Sequence, residues 1–137
     1  MLSSLDTSSE IVFGRRSAGG PGTVARGDVL FSRVRDRNRE ALTVRIRADV
    51  LSRLNWLAGD SVLARRRDDG LWVIERVAAG RGGVKLYQTN GARGRGHSLA
   101  RFSADSRSLD AVFPGGERSW TASLVEAGGN VAVFEQD

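Results

Sequence analysis

Residues 27–59 read GDVLFSRVRDRNREALTVRIRADVLSRLNWLAG, and residues 83–115 read GVKLYQTNGARGRGHSLARFSADSRSLDAVFPG. Laid over each other 56 residues apart, without a gap, the two stretches share nine identities in 33 positions. These are Gly27/Gly83, Leu30/Leu86, Arg37/Arg93, Arg39/Arg95, Arg45/Arg101, Ala48/Ala104, Asp49/Asp105, Ser52/Ser108 and Gly59/Gly115. Phe31/Tyr87, Ile46/Phe102 and Leu57/Phe113 match in kind. An ungapped match at a fixed period is the signature of a duplicated supersecondary unit. Two copies of a small motif in one chain can do what a homodimer does, and both copies carry arginines at the same place.

Within the first copy, Val29 to Val34 has β-type composition, and Leu42, Val44 and Ile46 alternate with polar residues on a second strand. The polar run Arg35-Asp36-Arg37-Asn38-Arg39-Glu40 between them reads as a hairpin tip. Val50, Leu51, Leu54 and Leu57 then recur at helical spacing, with Asp49 as the expected N-cap and Gly59 as the left-handed C-terminal position. Ser61–Arg65 and Leu71–Val77 read as a closing hairpin about Asp68-Asp69-Gly70. The second copy repeats the order. Strands are expected at Val84–Gln88 and Ser98–Ser103 around a Gly-rich tip, and a hairpin at Ser119–Val125 and Asn130–Phe134 about Ala127-Gly128-Gly129. Ser106, Arg107 and Asp110 interrupt the apolar face of its helix slot, Ala104–Phe113, which therefore reads as a single turn or a loop.

The predicted fold is mainly β, a small α+β domain. It is a pseudo-two-fold β-barrel from two ββαββ repeats with one short helix each. Residues 1–24, rich in Ser and Gly, read as a flexible arm with one short strand at Ile11-Val12-Phe13. Residues 25–137 form the barrel domain, from repeats 25–78 and 81–137.

Several stretches carry a family likeness: Leu42-Thr43-Val44-Arg45-Ile46, Val50-Leu51-Ser52-Arg53-Leu54, Gly59-Asp60-Ser61-Val62 and Leu71-Trp72-Val73-Ile74. Hairpin, helix, Gly-Asp turn and closing hairpin together resemble the AbrB/MazE-type swapped-hairpin domains. Such domains are usually dimers of one unit, and a tandem copy is similar to the wider cradle-loop barrel group, in which two units interleave. The chain departs from the pattern twice. Gly116 stands where the acidic residue of the Gly-Asp pair belongs, and Arg47 and Ser103 stand where the family tends to carry proline.

Composition narrows the function. The net charge is +5 and the pI about 11.1, with 20 arginines against the single lysine Lys85. A genome that favours arginine codons accounts for arginine over lysine, but not for net positive charge or for arginines placed on repeated tips. The guanidinium forks onto phosphate and onto guanine, so an anionic partner is expected, DNA ahead of RNA. No apolar run approaches a membrane span, and residues 1–22 lack the pattern of a secretory leader. With no cysteine, the chain fits a reducing, cytoplasmic setting.

The candidate site is the pair of tips, Arg35, Arg37 and Arg39 in one, Arg93 and Arg95 in the other. A two-stranded ribbon fits the major groove, where arginines bind phosphates or base edges. The resemblance implies the same for Arg37, Arg39, Arg93 and Arg95, because swapped-hairpin regulators use basic residues of this hairpin on DNA. Two tips side by side would grip one duplex. Arg65-Arg66-Arg67 is a second basic cluster, facing Asp68 and Asp69, and reads equally as a salt-bridged strand end. Phe31, Trp56, Trp72 and Trp120 read as core, and Tyr87 as the aromatic best suited to a wet edge. His97 is the only histidine. With no cysteine and no second histidine, neither a catalytic pair nor the usual zinc set is available, so no enzyme activity, metal or cofactor is expected.

The first expectation is thus a non-catalytic, duplex-DNA-binding transcriptional regulator. The alternative is a structural or assembly protein, a virion or complex subunit that holds a protein partner through residues 1–24. Association of two chains is open under either.

Overall fold

The computed structural model describes residues 27–89 and 97–137. The stretch Ile11-Val12-Phe13 and the rest of the arm lie outside the described residues. In chain order the elements are β1 (Val29–Asp36), β2 (Arg39–Ile46), α1 (Ala48–Leu54), β3 (Ser61–Arg66), β4 (Trp72–Val77), β5 (Val84–Lys85) and β6 (Tyr87–Gln88). Then come β7 (Ser98–Ser103), α2 (Ser106–Val112), a 3-10 turn (Pro114–Gly116), β8 (Ser119–Gly128) and β9 (Val131–Gln136). The nine strands run in the order β5-β3-β4-β9-β8-β1-β2-β7-β6 and form a nearly closed antiparallel barrel.

The seam of the barrel is residues 84–88. β5 pairs with β3 and β6 pairs with β7, so one extended segment touches both ends of the sheet. Leu86, between them, is 1% exposed. Its carbonyl accepts from the Gly59 N–H at 2.7 Å, and its N–H donates to the Asp60 carbonyl at 2.8 Å. The Gly-Asp turn is therefore a backbone clamp on the seam. The Asp60 carboxylate fixes that turn by accepting from the Leu57 N–H at 2.8 Å.

The apolar alternation of β2 fills the barrel as the sequence predicts: Val44 and Ile46 are at most 1% exposed. Phe31 stacks on Trp120 with ring centroids 4.2 Å apart and tilts against Trp72 at 4.9 Å. Such pairs add about 0.5–1.5 kcal/mol each beyond the area they bury. Trp120 donates from Nε1 to the Val112 carbonyl at 3.0 Å, and Trp56 from Nε1 to the Gly129 carbonyl at 3.3 Å. Trp56 and Trp120 thus bury their rings without orphaning an N–H.

Both helices correct the sequence reading. Arg47, not Asp49, is the N-cap residue of α1. Asp49 sits in the first turn, gripped by the Arg47 guanidinium at 2.9 Å (Nε–Oδ1) and 2.7 Å (Nη2–Oδ2). That contact holds the Asp49 carboxyl below its ordinary range. The left-handed residue at the C-terminus is Asn55, at φ 62, not Gly59. The helix stops there because Trp56 leaves the helical path to be buried, at 2% exposure. α2 is a seven-residue helix rather than a single turn or loop. Asp105 caps it, accepting from the Ser108 N–H at 2.8 Å, and buried Leu109 anchors it. A cap of this kind is worth about 1 kcal/mol, which offsets a poor apolar face.

Where Gly116 replaces the acidic residue of the Gly-Asp turn, the chain makes the 3-10 turn, with Gly115 and Gly116 both at positive φ. The last hairpin turns at Gly129-Asn130, one residue beyond the expected glycines.

Candidate nucleic-acid interface

Tip one is shorter than the polar run suggested. β1 and β2 stay in register from Val29 opposite Ile46 to Asp36 opposite Arg39, leaving only Arg37-Asn38 as the turn. Polar side chains do not end a ladder, since its bonds come from the backbone. Arg37 sits at φ 58, where an L-residue is strained by roughly 1–2 kcal/mol.

The three arginines of this tip point to different places. Residues directly opposite share a face, and faces alternate along a strand. Arg35 lies opposite Glu40, on the face that continues from Phe31 and Val44 toward α2. Arg39 lies opposite Asp36, on the outer face of the barrel. Arg37 is the turn itself. All three are exposed, and none makes an ion pair within 4.0 Å among the described residues.

Glu40 lies opposite Arg35, but its hydrogen bonds go elsewhere. Its carboxylate is held by Arg33 at 3.1 Å (Nε–Oε2) and 3.2 Å (Nη2–Oε1), and by the Ser106 hydroxyl at 2.5 Å. Arg33 also reaches Asp110 at 2.8 Å. The Arg33 hydrogen bonds, then the one from Ser106, hold the Glu40 carboxyl down at about 2. This cluster ties α2 to the first hairpin and leaves the tip above it basic.

Arg93 and Arg95 lie outside the described residues. The strands that lead to them are described. β2 and β7 pair from Ala41 opposite Ser103 to Ile46 opposite Ser98. Tip one adjoins the Ala41 end, whereas Thr89 and His97, from which tip two departs, adjoin the Ile46 end. The strand ends that flank residues 37–38 and those that flank residues 90–96 therefore lie at opposite ends of this ladder. At about 3.4 Å per residue, Arg39 and His97 are separated by roughly 25 Å along the ladder.

The same ladder assembles two residues that the tips do not include. Thr43 is opposite Arg101, and Arg45 is opposite Leu99, so Arg45 and Arg101 are diagonal neighbours on the outer face. The repeat match of Arg45 with Arg101 and the polar side of the 42–46 alternation both signal this pair in the sequence.

The second basic cluster divides: Arg67 makes a local ion pair, and Arg66 reaches across to the end of α2. Arg67 meets Asp69 at 2.5 Å, and Arg66 donates to the Ala111 carbonyl at 3.5 Å. Arg76 is engaged by Asp60, Asn130 and the Asn55 carbonyl. Tyr87 is 51% exposed, while Phe31, Trp56, Trp72 and Trp120 are buried. Among the described residues no three His, Cys, Asp or Glu side chains gather as a metal site, and no helix is long and apolar enough to cross a membrane.

Comparison with protein-family models, with curated proteins and with solved structures finds no match to this chain.

Proposed function

We propose that this chain is a non-catalytic nucleic-acid-binding protein, a duplex-DNA-binding transcriptional regulator of the swapped-hairpin type. In this reading the barrel is two interleaved ββαββ halves. Support comes from the cyclic strand order, which is unchanged when the elements of 27–78 and 83–137 are exchanged. β1 crosses to pair with β8, and β5 crosses to pair with β3. The two repeat-matched glycines follow suit. A Cβ on Gly27 would lie 2.5 Å from the Thr121 Cβ, and one on Gly83 would lie 2.7 Å from the Val77 Cγ2. Each glycine lets a strand cross into the other half.

The observation that carries the functional reading is Arg37. It holds a left-handed turn position that Gly or Asn would occupy with less strain, and it presents an exposed guanidinium at the end of a projecting ribbon. Arg39 stands beside it, and Arg93 and Arg95 are their repeat partners. Arginine on a ribbon tip has the geometry to bind backbone phosphates or fork onto guanine.

The test is anisotropy of a labelled duplex titrated with wild type and with a variant carrying Ala at 37, 39, 93 and 95. If all four meet phosphates, the slope of log K against log salt falls by about 0.9 per contact, or three to four in all. Unchanged affinity and slope would refute the tip reading.

A further inference from the structure

We infer that the outer wall of the β2–β7 ladder, centred on Arg45 and Arg101, is a seat for the phosphodiester backbone, along which a duplex lies lengthwise. The inference rests on the nucleic-acid reading of the tips and adds a second contact surface to it.

Four observations converge. Arg45 and Arg101 are diagonal neighbours on rigid strands, so their Cβ atoms stand about 7–8 Å apart or less. Both are exposed, and neither has a carboxylate within 4.0 Å among the described residues. Arg33, Arg47, Arg53 and Arg76, by contrast, are all ion-paired. The outward positions of β1, β2 and β7 hold one acidic residue, Asp36, which faces Arg39 at the tip. The wall is therefore cationic through its middle.

Its floor is low. Ala41 and Thr43, the outward residues of β2 between Arg39 and Arg45, carry short side chains and are 2% and 7% exposed. A hollow of about 190 Å³ opens beside Arg45, lined also by Asp28, Arg47, His97 and Thr121. The Asp28 carboxylate in it is already occupied, by the Leu124 N–H at 2.7 Å and by Arg47 and Arg53. Arg45 is left facing an opening that a phosphate can enter.

Placement gives the direction. Arg39 precedes Arg45 by six residues on one strand, about 20 Å, and the level of Arg101 falls between them. The strand ends that flank residues 37–38 and 90–96 lie at opposite ends of the same ladder. A polyanion that meets tip one and follows the strands must cross Arg101 and then Arg45. A duplex fits this path better than a single strand. Single strands need aromatic platforms for their bases, and the outward positions of β1, β2 and β7 carry no aromatic. Tyr87 stands at the edge, on β6.

The experiment is anisotropy of a labelled 20-base-pair random duplex, and of one of its strands, against the full chain at several salt concentrations. Arg45→Ala/Arg101→Ala is compared with Arg45→Lys/Arg101→Lys, Arg37→Ala/Arg39→Ala and Arg81→Ala. The wall alanines are expected to lower the salt slope by about two and to weaken duplex binding some tens of fold near 0.1 M salt. The lysine pair, which keeps the charge, should retain the slope. Arg81→Ala, in the loop after β4, should leave it unchanged. A normal slope in the wall alanines, with tip variants impaired, overturns the wall and leaves the tips standing. An equal loss per residue in Arg81→Ala means net charge alone, and also overturns it. Tighter binding of the single strand, abolished by Tyr87→Ala, overturns the choice of duplex. No binding by wild type at low salt overturns both wall and tips. Matching circular dichroism and thermal midpoints across the variants establish that each is folded.

Discussion

Asp49 and Asp105 are the same residue at the same place in the repeat, yet they do different work. Asp105 caps α2, whereas Asp49 is gripped by Arg47. The residue aligned with Arg47 is Ser103, which has no charge to compete for the carboxylate. The difference two positions upstream separates the two roles, at the same positions where the chain departs from the family's proline. Gly27 carries a different kind of constraint. It sits at φ +78, and a Cβ there would press on Thr121 and lie 2.8 Å from the Asp137 Oδ2. Gly80 has a similar φ of +84 but open space. Urea unfolding should therefore show Gly27→Ala destabilised by about 2–4 kcal/mol, strain and crowding together, and Gly80→Ala by only about 1 kcal/mol. Equal losses would mean that the crossing of β1 into the other half is looser than described.

At the scale of elements, the Arg33–Glu40–Ser106–Asp110 cluster joins α2 to the first hairpin. Glu40 titrates at about 2 in the folded chain against an ordinary 4.5. A carboxyl depressed on folding stabilises the protein above its unfolded value, and that contribution is lost as pH falls from about 4.5 toward 2. Thermal melts across this window should show the wild-type midpoint falling more steeply than that of Glu40→Gln. Parallel slopes would show that the cluster does not bear on stability. The strands were legible because alternation at 42–46 and the turn residues Asp68-Asp69-Gly70 are local signals. The second helix was not, because Asp105 and Leu109 hold it with a cap and one anchor instead of an apolar stripe. The length of the first hairpin was also hidden, since polar Arg35, Asp36, Arg39 and Glu40 join a ladder that only backbone atoms make.

At the scale of the molecule, the resemblance to swapped-hairpin domains implied a barrel, and the chain forms a nearly closed one, but the contacts that close it were not legible. The clamp of Gly59 and Asp60 on Leu86 joins residues 26 or more positions apart, and no local pattern announces it. The placement of the strand ends that flank residues 37–38 and 90–96 was hidden for the same reason. It depends on β2 pairing antiparallel with β7. Once that pairing is known, Arg45 and Arg101 become neighbours on one outer wall. The signal for the wall was already present in the Arg45/Arg101 identity, whose meaning only the register supplies.

The measurement that tests the central claim most directly is an amide chemical-shift map of isotope-labelled protein titrated with a random duplex. The account predicts perturbations at Arg37–Arg39, along 43–45 of β2 and along 99–101 of β7, fading as salt is raised. Absence of any perturbation at low salt, or perturbations confined to β4 and β9 on the other side of the barrel, would contradict it.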